Sequence, residues 1–177
     1  TTLTTAAQGY VLQFDEDLTV SSDVTFAAIT GAGGLNIGSA NDDVALFDGG
    51  VDTTAVLGTV NLAGFVRTSG DQADFGAVTL TDNTTLDTTN NGGVAAGAVL
   101  NVGAVTGGGK TLSLNSGTGG AMTGSGAVDN VGTLTVVNSN GVQFQSTVGA
   151  GTPGAITLTD TTDGAKIEFQ RDVDATT

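Results

Sequence analysis

The strongest constraint on the fold is that the sequence repeats itself at short intervals. The segment VQFQSTVGA, which begins at residue 142, returns as IEFQRDVDA, which begins at residue 167. Looser copies are LQFDEDLTV (residues 12–20) and ALFDGGV (residues 45–51), and every copy has Phe followed four residues later by Val or Leu. An interval such as that from residue 142 to residue 167 is typical of a solenoid, in which each repeat forms one coil that stacks on the next.

Three further repeats have related intervals. GAVTLTD (residues 76–82) returns as GAITLTD (residues 154–160), and the segment Leu-Asn-Ile-Gly at residue 35 returns as Leu-Asn-Val-Gly at residue 100. The pattern Thr-Leu-x-Leu/Val at residue 111 returns at residue 133. The intervals cluster near one coil or near multiples of it, which agrees with a stacked repeat fold.

The local pattern predicts strands throughout the chain. Short runs of alternating Thr or Ser and an apolar residue are bounded by Gly, Asn or Asp, and no segment has the spacing of a long amphipathic helix. We therefore predict an all-β fold: a parallel β-helix (β-solenoid) of about eight coils of roughly 20–25 residues each, with residues 1–177 as one unit. The alternative is an antiparallel β-sandwich with strand donation, in which residues 1–20 or 156–177 would be the donated segment.

Within such coils the recurring apolar residues should stack on their copies and form the core. The predicted core residues are Phe14, Phe47, Phe144, Val148, Phe169 and Val173.

The end of the sequence also continues into its beginning, because the stretch from Phe169 to the Phe14 of a following copy is again one coil long. Neither end carries a run of charged residues or Pro that would cap a solenoid. We therefore expect a head-to-tail array, covalent or not, with Thr1, Leu3, Val173 and Thr177 at the assembly ends. Open strand edges at uncapped ends favour polymerisation.

Composition excludes several classes of function. The chain has 4 Lys+Arg, 18 Asp+Glu and a formal net charge of −14, so it is a poor partner for nucleic acid and for anionic membranes. It contains no His and no Cys, which removes the usual ligands of zinc, haem and iron–sulfur clusters and the His-activated nucleophiles. No segment has the uninterrupted apolar length of a membrane span.

Acidic residues are the remaining candidates for a metal site. Asp42, Asp43, Asp48 and Asp52 could supply oxygen ligands to calcium, but the EF-hand spacing and the nonapeptide of calcium-binding β-rolls are both missing. Solvated acidic turns are the alternative interpretation. No other cofactor is expected.

The blocks GVQFQSTVGAGTPGAITLTD and AKIEFQRDVDATT resemble repeats of very long bacterial surface proteins. They are similar to the β-solenoid stalks of autotransporter and filamentous-haemagglutinin-like adhesins. The resemblance lies in a repeat style rich in Gly, Thr and Val, and it carries over no catalytic residue. It implies an extracellular or cell-surface stalk, adhesin or matrix fibre.

Together these features predict a non-enzymatic structural protein that associates end to end with itself in an extracellular bacterial filament or adhesin stalk. One alternative is a surface module that binds a glycan or a host receptor. Another is a polysaccharide-acting β-helix enzyme using paired carboxylates, against which the single Tyr and the absence of Trp count, since aromatic side chains commonly line a sugar groove.

Overall fold

The computed structural model of the protein describes residues 1–4, 11–30, 34–151, 154–158 and 162–176. These residues form strands and turns and no helix. Every pairing between two of the strands is parallel, so the fold is a parallel β-solenoid of about seven turns, close to the eight predicted. The antiparallel sandwich is therefore not the fold of this chain.

One strand from each turn enters an eight-stranded sheet, here called ladder A. Its strands, in spatial order, are β1 (Thr2–Thr4), β4 (Val24–Ala27), β7 (Val51–Ala55), β9 (Ala73–Phe75), β11 (Leu100–Val102), β14 (Met122–Gly124), β17 (Val142–Phe144) and β19 (Ile167–Phe169).

The second sheet contains two successive strand segments from each turn. The first segments stack into ladder B1 and the second segments stack into ladder B2. Ladder B1 consists of β2 (Leu12–Phe14), β5 (Leu35–Ile37), the first parts of β8 (Val60–Thr68) and β10 (Val78–Asp87), β12 (Val105–Thr106) and β15 (Val128–Asp129). Ladder B2 consists of β3 (Leu18–Val20), β6 (Val44–Phe47), the second parts of β8 and β10, β13 (Thr111–Asn115), β16 (Thr133–Asn138) and β18 (Ala155–Leu158).

The turns differ in length. The register of ladder A puts Met122 opposite Val142 and Val24 opposite Val51, so the first of these two turns is clearly the shorter. Turn length therefore varies more widely than the sequence repeats predict. Loops between the ladders absorb the difference, because the strands themselves stay in register.

Repeats in neighbouring turns stack as their similarity indicates. Phe144 pairs with Phe169 in ladder A, Val148 forms a parallel bridge with Val173, and Thr111 pairs with Thr133 in ladder B2.

Distant repeats instead lie on different ladders. Phe14 is on ladder B1 and Phe47 on ladder B2, whereas Phe144 and Phe169 are on ladder A. The two Leu-Asn strands that begin at Leu35 and Leu100 are likewise on ladders B1 and A. A stack of all four Phe copies in one row therefore does not form.

The core is built from rows of inward-facing apolar residues, because side chains of a strand alternate between the two faces of the sheet. The row that runs along ladder B1 is apolar in every turn and consists of Leu12, Leu35, Val60, Val78, Val105, Val128, Val148 and Val173. Each side chain in such a row is covered by its copies in the turns above and below, so interior turns bury it almost completely.

Gly124 makes room for one large core side chain. A Cβ placed on Gly124 would lie 2.7 Å from Cδ1 of Phe144, the residue that stacks on it in the next turn. Phe144 is only 1 % exposed and its ring lies parallel to that of Phe169, with ring centroids 5.2 Å apart. The small residue and the large ring are thus a complementary pair in consecutive turns.

Phe144→Ala should destabilise the protein by about 3–5 kcal/mol, because it removes a buried ring and leaves a cavity. Thr106→Ala, an exposed position on β12, is the matched control and should change stability by less than about 0.5 kcal/mol. Chemical denaturation followed by circular dichroism measures both, and equal unfolding midpoints for the two variants would contradict the assigned core.

Gly124→Ala should also destabilise the protein, because the added methyl group overlaps the Phe144 ring. In a Phe144→Ala background the same change should cost much less, since the space is then empty. A double-mutant cycle measures this coupling. Additive effects of the two changes would show that Gly124 and Phe144 do not share the space.

Candidate functional site

Both ends of the solenoid expose the interior rows that the middle turns bury. Among the described residues, β1, β2 and β3 are the outermost strands at one end, and β18 and β19 at the other. No described segment folds over either end, so the last residue of each inward-facing row has a neighbour on one side only.

The effect on burial is clearest at the carboxy-terminal end. Leu158 is 36 % exposed and Ile167 is 37 % exposed, whereas Val136 and Val142, their partners one turn earlier, are 0 % and 2 % exposed. These are apolar side chains that face inward in a turn with nothing stacked on it. They form an apolar end surface, which contains Ile156, Leu158, Ile167, Phe169 and Val173.

The amino-terminal end shows the same feature. Its inward-facing side chains Leu3, Leu12, Phe14, Leu18 and Val20 are only partly buried and pack against the core. Their partners in the second turn, Phe26 and Leu35 among them, are fully buried.

Charge differs between the two ends. The last turn carries two of the four cations of the chain, Lys166 and Arg171. Lys166 Nζ lies 3.0 Å from Glu168 Oε2, which also accepts a hydrogen bond of 3.2 Å from Gln143 Nε2. The hydrogen bond from Lys166, followed by that from Gln143, lowers the pKa of Glu168.

The first turn carries acidic residues at the corresponding corner. Asp15, Glu16 and Asp17 connect β2 to β3. Asp15 Oδ1 accepts a hydrogen bond from Gln13, and Asp17 Oδ1 accepts one of 2.8 Å from the backbone N–H of Val44. One end of the solenoid is thus acidic at this corner, and the other end carries its two cations together with the acidic residues Asp163, Glu168, Asp172 and Asp174.

The predicted assembly residues lie at these ends as far as the structure describes them. Thr1 and Val173 are exposed, and Leu3 is half-buried against the core. Thr177 lies outside the described residues. Leu158 and Ile167 were not predicted from the sequence, although their alternation with Thr157 and Glu168 could have identified them as inward-facing residues of the last turn.

The predicted core phenylalanines fall into two groups at opposite ends. Phe144 and Phe169 stack near the carboxy-terminal end. Phe14 and Phe47 both make edge contacts with Phe26, at centroid distances of 6.2 Å and 5.9 Å. Phe26 has no copy in the repeats that the sequence shows, so those repeats did not reveal it.

The acidic candidates for calcium mostly serve turns. Asp43 Oδ2 accepts backbone hydrogen bonds from Ser39 (2.7 Å) and Ala40 (2.9 Å), and Asp52 Oδ1 accepts one of 2.8 Å from the N–H of Thr54. Asp42 and Asp48 are exposed. Within the described part of the chain, no group of three or more acidic side chains is placed to hold a metal ion.

The described residues contain no helix that is long and apolar enough to cross a membrane. Comparison with known proteins adds no further assignment: no protein-family model matches the chain, and no curated protein and no solved structure matches it. The fold and the exposed apolar side chains at its two ends are thus the features of this chain that bear on its function.

The hydrogen bonds at Asp43 give a testable pH dependence. The backbone bonds from Ser39, then Ala40, lower the pKa of this carboxyl below its ordinary value of 3.8. A carboxylate with a lowered pKa in the folded state stabilises the fold above its unfolded pKa, and this stabilisation is lost as the pH falls through the folded pKa.

Asp43→Ala should therefore lower the unfolding midpoint at pH 7, and the difference from the parent should shrink as the pH falls below 3.8. Urea denaturation at a series of pH values measures it. Asp42→Ala, the exposed neighbour, is the control and should leave the midpoint unchanged at every pH. A constant effect of Asp43→Ala across the series would exclude the carboxylate as the cause.

Proposed function

We propose that this protein is a structural unit of an extracellular filament or stalk and associates end to end with copies of itself. The observation that carries the proposal is the exposure, in the last turn, of apolar residues whose rows are buried in the interior turns. Leu158, Ile167 and Val173 are 36 %, 37 % and 44 % exposed in the last turn. A further turn stacked on this surface would bury them.

Hydrogen bonding supports the same arrangement. A strand at the edge of a sheet presents a row of backbone groups that can pair with another strand. Here both sheets end in such strands among the described residues, at both ends of the molecule. A second copy in the same orientation would extend the sheets with the parallel pairing that each already has.

The extracellular setting is supported by the resemblance to stalks of bacterial surface adhesins. The net charge of −14 would keep the sides of such a filament soluble and mutually repulsive, and so would favour contact through the ends rather than through the sides. The proposal assigns a catalytic role to no residue of the chain.

Purified protein at high concentration should form thin filaments whose subunit repeat is close to eight strand spacings, because one copy contributes eight strands to ladder A. This repeat is roughly 38 Å at about 4.8 Å per strand. Electron microscopy measures the repeat.

Ile167→Lys should abolish the filaments, since it puts a charge into the contact. Val99→Lys is the matched control, because Val99 is equally exposed at 38 % but directly precedes β11, which β14 and β17 separate from β19 in ladder A. Monomers of the parent protein at all concentrations, or equal loss of filaments in both variants, would refute the proposal. Thermal melts of both variants verify that each remains folded.

A further inference from the structure

After β18, the described residues contribute one strand to ladder A and one bridge to ladder B1, and this arrangement limits how a second copy can fit. Ladder A ends with β19, and Val173 continues ladder B1 by its bridge to Val148. The next described residues turn toward ladder B2: the N–H of Thr176 donates a 3.2 Å hydrogen bond to the carbonyl of Gly154, the residue before β18. Among the described residues no strand covers the outer edge of β18.

Three strand edges therefore face a second copy at this end. In chain order they belong to β18 on ladder B2, to β19 on ladder A and to the segment around Val173 on ladder B1. The first turn of another copy offers three strands in the order β1, β2, β3. From these observations, and resting on the proposed end-to-end association, we propose that β1 of the next copy pairs with β18, its β2 with β19, and its β3 with the segment around Val173. The partner is thus a second copy of this chain, rotated about the solenoid axis by one ladder.

The repeat pattern supports this rotation. In the first turn LQF (residues 12–14) lies on ladder B1, whereas its copies VQF (residues 142–144) and IEF (residues 167–169) lie on ladder A. With the rotation, the three copies become neighbours in one ladder. Phe14 of the next copy would stack on Phe169 as Phe169 stacks on Phe144, and Leu18, four residues on, would meet Val173.

The outward-facing polar row is also continued. Gln143 Nε2 donates to Glu168 Oε2, and within the first turns Asn36 Nδ2 donates to Gln13 Oε1 at 3.4 Å. The rotated arrangement puts Gln13 of the next copy above Glu168. The two existing hydrogen-bonded rows would then form a single row across the junction.

The corner after the paired phenylalanines brings one pair of opposite charges together. Counting from these phenylalanines, Arg171 and Glu16 are both two residues further along, so they would lie side by side across the junction, next to the like-charged pair Asp172 and Asp17. The unrotated alternative pairs β1 of the next copy with β19. It puts Thr2 rather than Gln13 above Glu168, because Thr2 begins the outward-facing row of ladder A that Glu168 ends.

Cysteine cross-linking distinguishes the two arrangements, since the parent chain has no Cys. Outward-facing residues on neighbouring parallel strands are about 4.8 Å apart, within the Cα separation of about 4.4–6.8 Å that a disulfide requires. We would mix E168C with Q13C, and separately E168C with T2C, oxidise both mixtures and count covalent dimers on a denaturing gel. Each variant oxidised alone is the control for random collision.

The rotated junction predicts dimers from E168C with Q13C at least tenfold above the controls, and none above the controls from E168C with T2C. Dimers from the T2C mixture alone would overturn the rotation and leave the end-to-end association standing. Filaments in the microscope without either cross-link would also overturn it. If the parent protein and the variants remain monomeric, it is the proposed function that fails.

A charge exchange gives a second readout. Arg171→Glu should weaken assembly, and a partner carrying Glu16→Arg should restore it when the two variants are mixed. Only the rotated junction predicts that Glu16→Arg restores assembly. If the parent protein assembles but the mixture of the two variants does not, the pairing of Arg171 with Glu16 is contradicted.

Discussion

The structure depends on one interaction, the stacking of inward-facing apolar residues in register along parallel ladders. In a solenoid each turn contacts only its two neighbours, so the apolar row of a turn is fully buried only where it is covered from both sides. The row from Leu12 to Val173 shows this directly: its interior members Val105 and Val148 are 2 % exposed, and Val173 at the end is 44 % exposed. The fold and the proposed association thus have the same physical basis.

The parallel solenoid could be predicted from the sequence because neighbouring copies share both spacing and inward-facing residues. The pairs Phe144–Phe169 and Thr111–Thr133 are in register as their similarity predicted. The ladder on which a distant copy lies could not be predicted. All three ladders require the same alternation of polar and apolar residues, so Leu12-Gln-Phe suits ladder B1 as well as ladder A.

The length of each turn could not be predicted from the sequence either, because loops of different length leave the ladder register unchanged. The turn from Ala73 to Leu100 is longer than the one that follows it, from Leu100 to Met122, and includes a loop after β10. Asp87, which is 5 % exposed, organises this loop by accepting hydrogen bonds from the N–H groups of Thr89 (2.8 Å) and Asn91 (2.6 Å). Nothing in the local pattern distinguishes Asp87 from the exposed acids. The candidate ends, in contrast, were predicted from the missing caps, and the exposure of Leu158 and Ile167 in the structure adds two inward-facing residues that their alternation with Thr157 and Glu168 could have indicated.

Apolar rows alone cannot specify how two ends meet. Val, Leu and Ile occupy the inward-facing positions of every ladder, so a second copy could be placed in any of three rotations and still cover an apolar surface. The outward-facing residues differ between ladders, because Gln13 and Asn36 belong to ladder B1 and Gln143 and Glu168 to ladder A. In the proposed end-to-end contact, burial would therefore provide the affinity, and the polar row, which the rotated arrangement continues, would provide the register.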